Sequence, residues 1–172
     1  MKNLLKYTAK LKHLPRTGWL RHGIDKPETV ASHSWQMAMM ALKLAQTGEN
    51  TAYDMDKVIK LCLCHDMGES VIGDITPSDS RYATKEEMEN KAIAQIVAES
   101  DFSVLEALFS EYEANQTPEA KLANDLDKLD MYAQALDYET KYQDKDLTEF
   151  KHSAVKAIQT DIGKKLLKEL SA

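Results

Sequence analysis

The sequence predicts an all-α protein of about six or seven helices in one domain. Three observations predict it. Apolar residues recur at spacings of three and four through most of the chain. Gly and Pro are scarce, at six and four in 172 residues, which argues against a loop-rich or all-β design. No segment alternates in the period-two pattern of a strand.

Taken in order, residues 3–14 form the first expected helix, with Leu4, Leu11 and Leu14 near one face and Pro15 closing it. Gly18, Gly23 and Pro27 make Arg16–Thr29 an expected loop. The second helix runs from about Val30 to Gln46 and stops at Thr47–Gly48; the third covers about Asp54 to Ile72 and ends at Gly73. Residues 73–83 read as loop. Thr84 with Glu87 then matches a capping box that opens a helix to about Ser100. A further helix spans Ser103–Asn115. Thr117-Pro118-Glu119 is a strong start signal for a long helix to about Gln143, and Leu147–Leu170 supplies the last. One domain covers residues 1–172.

Composition narrows the function classes. Apolar residues make up 43% and charged residues 29%, ordinary for a globular protein and too apolar for disorder. A net charge of −6 without a basic run speaks against a nucleic-acid polymer as partner. An anionic small substrate stays compatible, because a metal and an Arg can reverse the field locally. The Lys-rich N-terminus has no uninterrupted apolar core, so no signal peptide is expected, and Met37–Leu42 is far too short to span a bilayer. Cys62 and Cys64 would point ~200° apart on a helix and can neither pair nor chelate together. A cytoplasmic protein fits these features.

Ionisable residues on apolar helix faces carry the chemistry. His33 shares a stripe with Met37, Met40 and Leu44, so it faces the core. His65 follows Val58 and Leu61 in the same way; Asp66 lies ~100° around the axis, with Glu69 between them. On the helix after Pro118, one apolar face carries Leu122, Leu126 and Leu129, and a second runs Ala120, Ala123, Asp127, Met131. A helix apolar on both sides is buried, so Asp127 needs a partner. Position alone leaves Asp125 and Asp130 open as alternatives. Two imidazoles and two carboxylates without a thiolate favour a six-coordinate divalent ion over structural zinc. Such an ion can activate water and polarise a phosphoryl oxygen.

His33, then His65-Asp66, then Asp127 resembles the H…HD…D signature of the HD-domain phosphohydrolase superfamily. The segments Arg16-Thr-Gly-Trp19, Glu28-Thr-Val-Ala-Ser-His33-Ser, His65-Asp66-Met-Gly-Glu69, Gly73-Asp74-Ile-Thr76 and Asp125-Leu-Asp127-Lys-Leu resemble its 5′-deoxynucleotidase branch, over about residues 10–145. The resemblance implies a metal site of His33, His65, Asp66 and Asp127, with Asp127 chosen over Asp125. It implies cobalt or manganese as the ion (iron, nickel, zinc or magnesium being alternatives), a homodimer, and a deoxyribonucleoside 5′-monophosphate as substrate. By the same resemblance Arg16 would pair the phosphate, with Arg21 as the alternative. Trp19 would pack the sugar or base, and Thr76 would line the pocket. Glu69 or Asp74 would orient the water or protonate the leaving oxygen. Substitution of Asp130, unlike Asp127, is expected to leave metal content nearly unchanged. Competing expectations are an HD-domain phosphodiesterase or dNTP hydrolase, a non-catalytic helical domain with a structural metal, and a metal-free bundle.

Overall fold

The computed structural model describes residues 1–46 and 52–172; the expected stop at Thr47–Gly48 lies outside them. The described residues form ten α-helical segments and a 3₁₀ turn at Tyr82–Thr84, with no strand. The all-α expectation holds. The helix count is higher than expected because two predicted helices are divided and one predicted loop contains a short helix.

Helix α1, Lys2–Leu11, ends a turn earlier than Pro15 required. The expected loop after it contains a short helix, α2, Thr17–Arg21. Five residues are too few to show a period, and the N-terminal N–H of Thr17 is satisfied by the distant Asp74 carboxylate. Helix α3, Val30–Ala45, is capped by Thr29 and Ser32, each side chain bonding the other's backbone N–H.

The predicted third helix divides into α4, Met55–Cys64, and α5, Glu69–Ile72. Between them the backbone tightens. Met67 N–H donates to Cys64, Glu69 N–H to Asp66 and Ser70 N–H to Met67, each three residues back. In such a turn residues three apart eclipse, which aligns Asp66 with Glu69.

Helix α6, Lys85–Ser100, begins at Thr84, but the expected capping box is not formed. The preceding 3₁₀ turn takes the Thr84 hydroxyl, which donates to Arg81 O at 3.1 Å. Helices α7, Val104–Ala114, and α8, Pro118–Lys141, follow as predicted, with Thr117 capping α8 through Ala120 N–H. The last predicted helix is two, α9, Thr148–Ala157, and α10, Asp161–Leu170.

The core joins α1, α3, α4, α6, α7 and α8 through residues such as Met37, Leu61, Ile96, Phe109 and Leu126. A smaller cluster of Trp19, Ile24, Ala135, Tyr138 and Leu147 closes the far end of α8 against α2 and α9. Helix α8 is therefore the spine that both clusters share. Among the described residues no helix is long and apolar enough to cross a membrane.

Candidate active site

Four elements deliver the ionisable side chains to one point. The Thr29 cap fixes the start of α3, and His33 follows one turn later. Its Nδ1 donates to the Asp130 carboxylate at 2.6 Å, both side chains being fully buried. His65, at the end of α4, donates from Nδ1 to Cys62 O at 2.9 Å. With Nδ1 committed in both rings, each Nε2 presents a lone pair toward the same centre. The rings lie 5.4 Å apart between centroids.

The centre gathers carboxylates as well. Asp127 Oδ1 lies 3.2 Å from His33 Nε2, and Asp66 Oδ2 lies 3.0 Å from His65 Nε2. His33, His65 and Asp127 each place a ligand atom within 4.8 Å of the others. Among the described residues, both Nε2 atoms are buried without a hydrogen bond. Lone pairs facing carboxylates inside a protein repel unless a cation lies between them, so these residues fit a divalent ion. The proton affinity of His33 reflects the same demand for positive charge. Burial and Arg16 oppose protonation, yet Asp127 and Asp130 push its pKa up to about 9.

Arg16 and Lys128 complete the inner charge pattern. Arg16 Nη1 pairs with Asp66 at 3.1 Å and Nη2 approaches Asp127 to 3.9 Å; Lys128 Nζ meets the other Asp127 oxygen at 2.8 Å. Burial works against ionised Asp66 and Asp127, but His65 and Arg16 around the first, and Lys128, His33 and Arg16 around the second, hold both carboxyls well below the usual range.

Beside the centre opens a cavity of about 340 Å³, lined by Arg16, Trp19, Asp66, Glu69, Asp74, Thr76 and Asp127 among others. Glu69 is 2% exposed and its Oε2 has no hydrogen bond among the described residues. Burial, then Asp66 and Asp74, push its pKa well above the ordinary carboxylate value. Asp74 also borders the cavity, but its carboxylate accepts the Thr17 N–H while Thr17 Oγ1 donates to Asp74 O. It thus pins the segment that carries Arg16. Trp19 is almost wholly buried, its Nε1–H given to Glu28 at 2.9 Å and its ring 4.2 Å from that of Phe150. Arg21 is exposed and away from the cavity lining; Arg16 is the arginine at the site.

Comparison with known proteins decides the family. The HD-domain family model matches residues 8–170. The chain belongs to the HD-domain family.

Among relatives of this HD domain, the 5′-deoxynucleotidase HDDC2 of Dictyostelium discoideum is 43% identical over 144 residues, covering 78% of this chain and 75% of its own. The 5′-deoxynucleotidase hdd1 of Schizosaccharomyces pombe is 38% identical over 153 residues, covering 83% and 74%. A conserved hypothetical protein of Pyrococcus furiosus superposes with a TM-score of 0.83 at 33% identity, over 99% of both chains.

Within this HD domain, α8 orders the cavity like a ruler. Asn124, bonded to Tyr112 O, marks a polar end with Lys85, Glu89 and Glu113. Two turns on, a rise of about 10 Å, Met131 marks an apolar end with Trp19 and Phe150. Asp127 and Lys128 lie between. Sequence reasoning missed most of the polar end, because Lys85, Glu89 and Glu113 each look like ordinary surface charges on their own helices. Phe150 lies beyond residues 10–145, the stretch whose segments resemble the 5′-deoxynucleotidase branch, although within the family match. Asp130, expected to matter little for metal content, is bonded to His33 Nδ1 at 2.6 Å and so orients that ring.

Proposed function

We propose that the chain is a metal-dependent 5′-deoxynucleotidase that hydrolyses deoxyribonucleoside 5′-monophosphates to deoxynucleoside and inorganic phosphate. The observation that carries this reading is the pair of unbonded, buried Nε2 atoms facing Asp127 and Asp66, beside a cavity that also holds the buried Glu69, whose Oε2 is unbonded. The relatives named 5′-deoxynucleotidase support the substrate class.

In this reading His33, His65, Asp66 and Asp127 hold one divalent ion. The ion supplies an activated water nucleophile and Lewis-acid polarisation of a phosphoryl oxygen. Arg16, released from Asp66 and Asp127, pairs the phosphate with its planar fork, and Thr76 borders the same space. Glu69, whose burial favours the protonated form, would give its proton to the 5′-oxygen as the P–O bond breaks. Asp74 holds the Arg16 segment through Thr17, and Trp19 with Phe150 and Met131 offers the nucleoside an apolar wall. The reading extends to cobalt or manganese as the ion, a homodimer and a cytoplasmic setting; the free, buried Cys62 and Cys64 accord with a reducing compartment.

A phosphate-release screen over dAMP, dGMP, dCMP, TMP and dUMP, with the matching ribonucleotides, triphosphates and a cyclic dinucleotide, tests the proposal. The monophosphates should be cleaved fastest. Faster cleavage of the triphosphates or the dinucleotide would reject it.

A further inference from the structure

Glu28 lies outside the cavity lining and has no part in the chemistry above, yet its groups are committed to separate parts of the site. Its backbone carbonyl accepts the N–H of Arg16 at 3.0 Å. Its own N–H donates to the Tyr138 hydroxyl at 2.6 Å. Its carboxylate accepts the indole N–H of Trp19 at 2.9 Å and, itself half-buried, lies beside the buried His33 and Asp130, ligand atoms of the three within 4.8 Å of one another. The next residue caps α3, whose first turn carries His33, so Glu28 cannot move without disturbing that helix start.

These commitments differ in kind. The hold on Arg16 is main chain to main chain and is reinforced from the other side by the Asp74 clasp on Thr17; it survives any change of the Glu28 side chain. The hold on Trp19 is made by the side chain alone. Among the described residues no other acceptor is bonded to the indole N–H, and leaving a buried donor unpaired costs its full desolvation penalty. The ring could then leave its place against Phe150 and Tyr138, 4.2 and 5.3 Å away between centroids.

We propose that Glu28 is the positioning residue of the nucleoside half of the site: its carboxylate fixes the Trp19 wall at a set distance from the phosphate arm and from His33. This deepens the nucleotidase reading and rests on it. A positioning role for one half of the site makes a prediction that a general structural role does not. Loss of the carboxylate should weaken the nucleoside contact and leave the phosphate contact intact.

The test compares Glu28→Ala, Glu28→Gln and Trp19→Phe in holoenzyme, with KM for a deoxynucleoside monophosphate measured beside inhibition by inorganic phosphate. Glu28→Ala should raise KM by roughly tenfold, with phosphate inhibition and kcat changed by less than about threefold. Glu28→Gln retains an acceptor oxygen and should restore KM. Trp19→Phe removes the donor from the other side and should raise KM to a similar degree, which carries the test if Glu28→Ala folds poorly. In a Trp35→Phe background, Trp19 emission should shift to the red in Glu28→Ala and return in Glu28→Gln. Unchanged KM and emission in Glu28→Ala, or equal weakening of nucleotide and inorganic phosphate, would overturn the proposal. A wild type that hydrolyses no nucleotide would instead reject the nucleotidase reading, while the emission shift still decides whether Glu28 holds Trp19.

Discussion

Two faces of α8 carry chemically identical side chains to different ends. Asp127 and Asp130, ~60° apart around the axis, look toward α3 and α4. Asp125, ~200° from Asp127, looks toward the junction of α9 and α10. All three are buried, so burial does not distinguish them; their partners do. Asp125 accepts the N–H groups of Gln159 and Thr160 and the Thr160 hydroxyl, which breaks the last helix in two and starts α10. A methyl group at Gly163 would collide with its carboxylate, so that face is closed on itself. Asp130 is given to one imidazole, while Asp127 faces a lone pair, a lysine and a cavity. A buried carboxylate whose bonds the protein supplies is architecture. One set beside unbonded nitrogen lone pairs is prepared for a ligand.

The contrast can be broken one acid at a time. Asp127→Ala should have the largest effect, with metal content lost and turnover reduced by at least about 10³-fold, as befits removal of a ligand to the catalytic ion. Metal retention equal to wild type, read by elemental analysis, would remove Asp127 from the ion. Glu69→Ala, an acid beside the centre but off α8, should cost roughly 10²–10⁴ in turnover with metal occupancy kept; full turnover would leave Glu69 without its proton-transfer role. Asp130→Ala should weaken metal binding by about 10–100-fold, with turnover largely recovered when metal is in excess. An unaltered metal isotherm would mean that His33 needs no orienting partner. Asp125→Ala should spare metal affinity and turnover and show only in melting. Loss of its charged hydrogen bonds costs about 3 kcal/mol, which lowers Tm by roughly 6–12 °C for a chain of this size. Lost metal binding in a folded Asp125→Ala protein would erase the distinction between the two faces.

The same contrast explains what was legible in the sequence. His33 and His65 stand out because each occupies an apolar stripe whose other members are core residues, and Asp127 because it interrupts a second apolar face. A helical wheel gives a direction, however, and not a partner. It could not separate Asp125, Asp127 and Asp130, whose partners lie 34, 94 and 97 positions away. The tight turn at 65–68 and the break before α10 were hidden for a related reason. The segments are locally helical in composition, and the groups that interrupt or satisfy them come from elsewhere in the chain. The short α2 depends in the same way on Asp74.

In the proposed function His33, His65, Asp66 and Asp127 hold an ion on which hydrolysis depends. Metal-stripped protein titrated with Mn²⁺, with binding heat and phosphate release from dAMP followed together, tests it most directly. About one ion should bind per chain, and turnover should rise from near zero in proportion to occupancy. Full turnover in the stripped protein, or saturation with metal that leaves turnover unchanged, would contradict it.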